Sequence, residues 1–125
     1  MKRLMYLVVF VLVWGCSDSN SLKPQEFQQR IKSTPDAVVI DVRTPKETYT
    51  NGIIEGAMVS DYSGGEFAAL IATLDKSKTY FVYCASGMRS GKAGKEMKKA
   101  GFENVFVLDG GVKAWEKEGL KLVPR

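Results

Sequence analysis

Three short apolar runs, Ala37 to Asp41, Thr79 to Cys84 and Val105 to Leu108, are each followed within a few residues by a stretch of helical character. Runs of this length, bounded by turn residues and rich in Val, Phe and Tyr, read as buried strands. Strands joined through helices pair in parallel, because only a long crossover returns the chain to the same end of a sheet. A parallel sheet is covered on both faces, so the expected architecture is α/β with a helical layer on each side.

The helices can be placed one by one. Phe27 and Ile31 lie four apart between Pro24 and Lys32, in a helix stopped before Pro35. Thr44-Pro45 supplies an N-cap and a proline at the first helical position, and Asn51-Gly52 ends that brief turn. Phe67, Leu70, Ile71 and Leu74 share a face between Glu66 and Leu74. Ser90 to Ala100 turns Ala93, Met97 and Ala100 inward and Lys92, Lys95, Lys98 and Lys99 outward, where the lysines solvate the face; Gly101 closes it. Ala57 to Val59 is one more short strand. Gly110-Gly111 forms a tight turn into a last helix, Val112 to Glu118, that buries Trp115.

A chain of 125 residues holds one ordinary domain. With 18 basic and 14 acidic residues the formal charge is +4, and setting aside Lys2 and Arg3 leaves 16 against 14, or +2. So small an excess gives no reason to expect nucleic acid as a partner. Histidine is absent, which excludes Cys-His and Ser-His-Asp catalysis and histidine-ligated metals.

Lys2 and Arg3 precede the apolar run Leu4 to Trp14, which is too short to span a bilayer and fits the core of a secretory signal. Val13-Trp14-Gly15-Cys16 resembles a bacterial lipobox. The expected organisation is a signal peptide over 1–15, a lipidated Cys16 and polar tether over 16–21, one domain over 22–121, and a tail over 122–125. An ordinary signal peptide with a cysteine near its cut site is the plainer alternative. Leu-Val-Pro-Arg at the end coincides with the left half of a common protease-tag site and carries no weight. The expected location is the exported side of a bacterial membrane, periplasmic or at the cell surface, with the lipid as anchor. Acylation of Cys16 would leave Cys84 without a partner in the chain, so its thiol is either inert and buried or there to react.

Cys84 closes a strand, and ligands of open parallel sheets bind beyond such ends. Ala85, Ser86, Gly87, Met88 and Arg89 lead from it to the helix expected at Ser90. Small residues and a glycine let this loop curl until its N–H groups point inward, a nest of positive partial charge reinforced by the helix dipole. An ordinary free thiol is only about 3% ionised at pH 7. Aligned N–H groups can favour the thiolate without a histidine, and they suit a persulfide equally, since that is also an anion.

Three separated stretches resemble the rhodanese domain: Asp41-Val42-Arg43 with Glu47 and Gly52-Ile53-Ile54-Glu55-Gly56-Ala57; Cys84 to Ser90; and Val107 to Trp115. Their order and spacing match, and the likeness covers nearly everything from Ser21 to Leu120. It implies a five-stranded parallel sheet with helices on both faces and a catalytic cysteine after the fourth strand. Carried onto this chain, Cys84 accepts and donates sulfur, and Ala85 to Arg89 bind the substrate through their backbone cradle. The implied activity moves sulfane sulfur from thiosulfate or a similar donor to cyanide or a thiol, with no cofactor and no metal. Arg89 stands where many single-domain members carry arginine, to attract a sulfur-bearing anion or to tie the loop to the sheet. Asp41 and Arg43 end a neighbouring strand and can reach the mouth of the site. Scaffolding is the favoured reading for the pair, with Arg43 meeting Glu47 or bracing the cysteine loop; Ser90 is placed beside them as structural. One departure is visible: Ile53 follows Gly52 where the family commonly has histidine. Displacement by a thiolate needs no such base, so only a local hydrogen bond is put in question.

Three rivals remain at this level. Protein tyrosine phosphatases also place a cysteine before a nest and an arginine, but six residues apart, where this chain has Ser90. A noncatalytic binding module would have no need of an intact cysteine in a permissive loop. A persulfide or redox relay for a protein partner, with little turnover on thiosulfate, keeps every feature above.

Overall fold

The computed structural model describes residues 20–125. The expected signal peptide, the lipidated Cys16 and the tether up to Ser19 lie outside the described residues. Strands and helices alternate throughout: β1 (Ser21–Leu22), α1 (Pro24–Ser33), β2 (Ala37–Asp41), α2 (Pro45–Asn51), β3 (Met58–Val59), α3 (Glu66–Ile71), β4 (Thr79–Tyr83), α4 (Met88–Lys99), β5 (Asn104–Leu108) and α5 (Gly111–Lys117). Every pairing between strands is parallel, and the sheet order is β1-β5-β4-β2-β3.

The central strand β4 shows how the sequence feeds two layers. Alternate residues of a strand point to opposite faces. Tyr80, Val82 and then Cys84 join Phe67, Ala93 and Met97, side chains of α3 and α4, on one face. Phe81 and Tyr83 meet Phe27, Val112 and Trp115 from α1 and α5 on the other. Phe27 stands edge-on to both Phe81 and Trp115, with ring centroids 5.5 and 6.4 Å away. Such edge contacts add about 0.5–1.5 kcal/mol each beyond the area they bury, and they fix α1 and α5 against the same strand.

The elements differ from the sequence reading mainly at their ends. α4 begins at Met88, two residues before the expected Ser90, because Gly87 adopts φ +100° and turns the chain into the helix early. The strand before it stops at Tyr83, which leaves Cys84 as the first residue of the turn. β1 has no counterpart in the sequence reading, where Ser21 belonged to the tether. Val107 N–H donates to the Asn20 carbonyl at 2.7 Å and Asp109 N–H to the Leu22 carbonyl at 2.8 Å, so this edge is paired backbone.

Residues 122–125 also pack onto the domain. Ile53 and Val123 exchange two backbone hydrogen bonds of 2.8 Å in an antiparallel bridge. Arg125 donates to Thr48 Oγ1 at 2.8 Å and lies over the Tyr49 ring. The packed unit therefore extends past the expected bounds of 22 and 121 at both ends.

Candidate active site

Cys84 sits at the carboxyl end of the central strand and is 1% exposed. Its Sγ accepts the Gly87 N–H at 3.1 Å and lies 3.3 Å from Ser90 Oγ. Burial alone pushes the thiol up. The Ser90 hydroxyl and the N–H groups of Ser90, Gly87 and Ser86 outweigh it and hold the thiol below its ordinary value. Ser90, expected only as a structural neighbour, is thus a direct partner of the sulfur.

The curl of the loop has a cause in α5. The Val112 N–H binds the Cys84 carbonyl at 2.9 Å, and the Lys113 N–H binds the Ala85 carbonyl at 3.1 Å. These are first-turn donors with no partner inside their own helix. Using them here draws the loop carbonyls toward α5 and leaves the loop N–H groups facing the sulfur. Gly111 makes the approach sterically feasible: a Cβ there would stand 2.5 Å from the Cys84 carbonyl oxygen and 2.6 Å from Ala85 C, and its φ is +60°. Sequence reasoning saw Gly110-Gly111 only as a turn. The signal for this second role was two glycines opening a helix within a motif that must lie beside the cysteine.

Ala85, Ser86 and Gly87 form the loop, while Met88, Arg89 and Ser90 make the first turn of α4. Met88 projects outward, 72% exposed. Arg89 grips Glu47 with both terminal nitrogens, Nη1 to Oε2 and Nη2 to Oε1, each at 2.8 Å. Glu47 meanwhile accepts from Thr44 N–H at 2.9 Å, while Thr44 Oγ1 accepts from Glu47 N–H at 3.3 Å. This capping box starts α2. The Arg89 guanidinium, with the Thr44 cap behind it, overcomes partial burial and lowers the Glu47 carboxyl to about 2. Arg89 is raised in turn, chiefly by its bond to Glu47.

Arg43 makes neither of the two contacts that the sequence offered it. It is 1% exposed, pairs with the buried Asp41 at 2.8 Å, and donates from the same Nη2 to the Gly52 carbonyl at 2.7 Å. It neither pairs with Glu47 nor contributes a hydrogen bond to the cysteine loop. The reason is local: Asp41 is itself fully buried, and a buried carboxylate without a cation beside it is costly. Asp41 and Arg43 together tie the end of β2 to the end of α2, which is the scaffolding role.

The described residues 23–118 match the Rhodanese-like domain family. The chain belongs to the rhodanese family. It is 30% identical over 104 residues to a sulfurtransferase of Allochromatium vinosum, covering 83% of this chain and 94% of that one. A putative sulfurtransferase of Bacillus subtilis, YtwF, is 36% identical over 91 residues, 73% of this chain and 84% of the relative. The crystal structure of a rhodanese-related protein from Thermoplasma volcanium superposes with a TM-score of 0.71 at 29% identity, covering 85% of this chain and 99% of that one. Other curated relatives are longer, and the matching stretch makes up 25% of one and 29% of another. Membership of the rhodanese family and these sulfurtransferase relatives support sulfur transfer as the general activity of the chain.

Proposed function

We propose that this rhodanese takes sulfane sulfur from thiosulfate or a similar donor onto Cys84 and passes it to a thiophilic acceptor such as cyanide or a thiol. The observation that carries this reading is the Cys84 sulfur itself, held at a strand end by N–H groups and one hydroxyl, with no carboxylate or amine among its hydrogen-bond partners in the described residues. Such a cradle stabilises an anion on sulfur and does nothing more. In the first step the Cys84 thiolate attacks the outer sulfur of thiosulfate; the S–S bond breaks and sulfite leaves with its electron pair. In the second, the acceptor attacks the terminal sulfur of the Cys84 persulfide. Cyanide departs as thiocyanate and the thiolate is restored, with no proton transfer required in either step. The arrangement needs neither the missing histidine nor a metal.

Incubation with excess thiosulfate is expected to add one sulfur atom to the intact protein mass, and cyanide to remove it as thiocyanate. Cys84→Ser should show neither event. Absence of sulfur uptake together with hydrolysis of an aryl phosphate through Cys84 would sink the reading.

The same reading places the domain on the exported side of a bacterial membrane, held by a lipid on Cys16. Its support is the order Lys2-Arg3, an apolar run and a cysteine after Gly15. Membrane-extracted protein should have a diacylated amino-terminal Cys16 by intact mass, whereas a chain starting at Ser17 would reject the anchor.

A further inference from the structure

The proposed reaction leaves the donor open, and the charges around the sulfur bear on it. Arg89, in the first turn of α4, is a cation whose charged form is favoured chiefly by Glu47 and, more weakly, by the charges of Cys84 and Asp61. Its fork is already occupied: Glu47 takes one N–H from each terminal nitrogen at 2.8 Å, in a pair whose members are both about 30% exposed. Glu47 is held there twice over, since the capping box fixes its backbone and carboxylate at the start of α2. Lys95 and Lys98 lie along a groove whose walls include Ser86 and Gly87 of the loop, Met88 and the acidic Asp109, but not Cys84. Arg89, the cation that responds to the Cys84 charge, is thus faced by two carboxylates, Glu47 in direct contact and Asp61 at longer range.

Thiosulfate is a dianion at neutral pH, and its approach to a thiolate adds two like charges to a third. A site suited to it needs a cation free to face its sulfonate oxygens. Here the guanidinium is neutralised before the donor arrives. Its Nε and outer N–H groups remain as hydrogen-bond donors without a net charge behind them.

Resting on the sulfurtransferase reading, we propose that the preferred sulfur donor of this site is an organic persulfide, whose sulfurs carry at most one negative charge, rather than the thiosulfate dianion, and that Glu47 sets this preference by neutralising Arg89. In the favoured step the Cys84 thiolate attacks the outer sulfur of the donor's protonated form, R–S–SH, which exchanges with the monoanion by taking a proton from water. The S–S bond breaks, its electron pair leaves on R–S⁻, and the proton stays on the transferred sulfur until water removes it. Atoms and charge balance without an oxidant. Glu47 is a positioning residue here, since it acts through Arg89.

The test compares sulfur loading of the full-length protein in detergent from thiosulfate and from freshly prepared cysteine persulfide, read by quenched intact mass. Wild type is expected to load at least tenfold faster, per kcat/KM, from the persulfide. Glu47→Gln keeps a capping-box residue while removing the charge. It should raise the thiosulfate-to-persulfide ratio about tenfold, mainly through a lower KM for thiosulfate, a gain that structural damage would not produce. Asp61→Asn should move the ratio the same way by a smaller factor, and it decides the matter if Glu47→Gln does not fold. Equal loading of wild type from both donors, or a ratio untouched by the variants, overturns the donor assignment and leaves the sulfurtransferase reading standing. No loading from either donor overturns both.

Discussion

At the scale of single residues the site divides into what chain order reveals and what only the fold brings together. The place of Cys84 at the end of a strand, with the Gly87 N–H turned toward its sulfur, was legible because small residues and a glycine follow an apolar run. Ser90 was underrated because its position in the sequence says nothing of where its hydroxyl points; in the structure it lies 3.3 Å from the sulfur. It is also the foremost of the groups that offset burial of the thiol. Ser90→Ala should therefore raise the Cys84 pKa, the thiolate having lost a partner that the thiol needs less. A hydrogen bond to a charged group contributes about 1.5–3 kcal/mol. Alkylation of Cys84 by iodoacetamide should accordingly slow by about tenfold at pH 7. The two rates should converge as pH rises and both thiols ionise. Parallel pH profiles with no displacement would mean that the hydroxyl does not stabilise the anion.

At the scale of elements, the helix starts shape the candidate site. α2 begins with a capping box that also anchors Arg89, α4 begins just after Gly87, whose N–H reaches the sulfur, and α5 begins by binding the carbonyls of Cys84 and Ala85. The Thr44-Pro45 start could be read directly, because caps are local. The Glu47–Arg89 pair spans 42 residues and could not. Arg43 was drawn toward the mouth of the site for the same reason, since the burial of Asp41 is a property of the sheet and not of the dipeptide. The Glu47 carboxyl falls from 4.5 to about 2 on folding, so the folded chain holds its proton less tightly than the unfolded one. Its contribution to stability is present above pH 4.5 and is lost as pH falls toward 2. Screening at a pair that is 29% and 31% exposed brings the expected size to about 1–2 kcal/mol, cap included. Glu47→Ala should lower the thermal midpoint at pH 7, and the gap to wild type should close as pH approaches 2. A gap that persists unchanged in acid would assign the loss to packing instead of charge.

At the scale of the whole molecule, the alternation of strands and helices was enough for a parallel sheet, because β2, β4 and β5 are long and apolar. The two ends were not legible. β1 is two residues with a serine at its start, too short for any periodicity, and it is a strand only because β5 offers it carbonyl and N–H partners. The final four residues carry no weight in the sequence because they coincide with half of a protease-tag site. Yet Val123 pairs with Ile53, the residue standing where the family commonly has histidine, and Leu122 packs partly buried beside Trp115 and Ile54. The neighbouring Gly52 carbonyl is the one that Arg43 holds, so the tail fastens the same corner that the buried ion pair fastens from inside. A chain ending at Lys121 loses the two 2.8 Å backbone bonds to Ile53 and the Arg125 bond to Thr48. At about 0.5–1.5 kcal/mol net for each hydrogen bond, and less where solvent competes, the loss should be about 1–2 kcal/mol. Urea unfolding is expected to show a lower midpoint with the slope nearly unchanged, since little surface is removed from the cooperative unit. An unaltered midpoint would mean that the tail rests on the domain without sharing in its stability, that corner being closed instead by the 2.9 Å hydrogen bond from the Ile54 N–H to the Tyr83 hydroxyl.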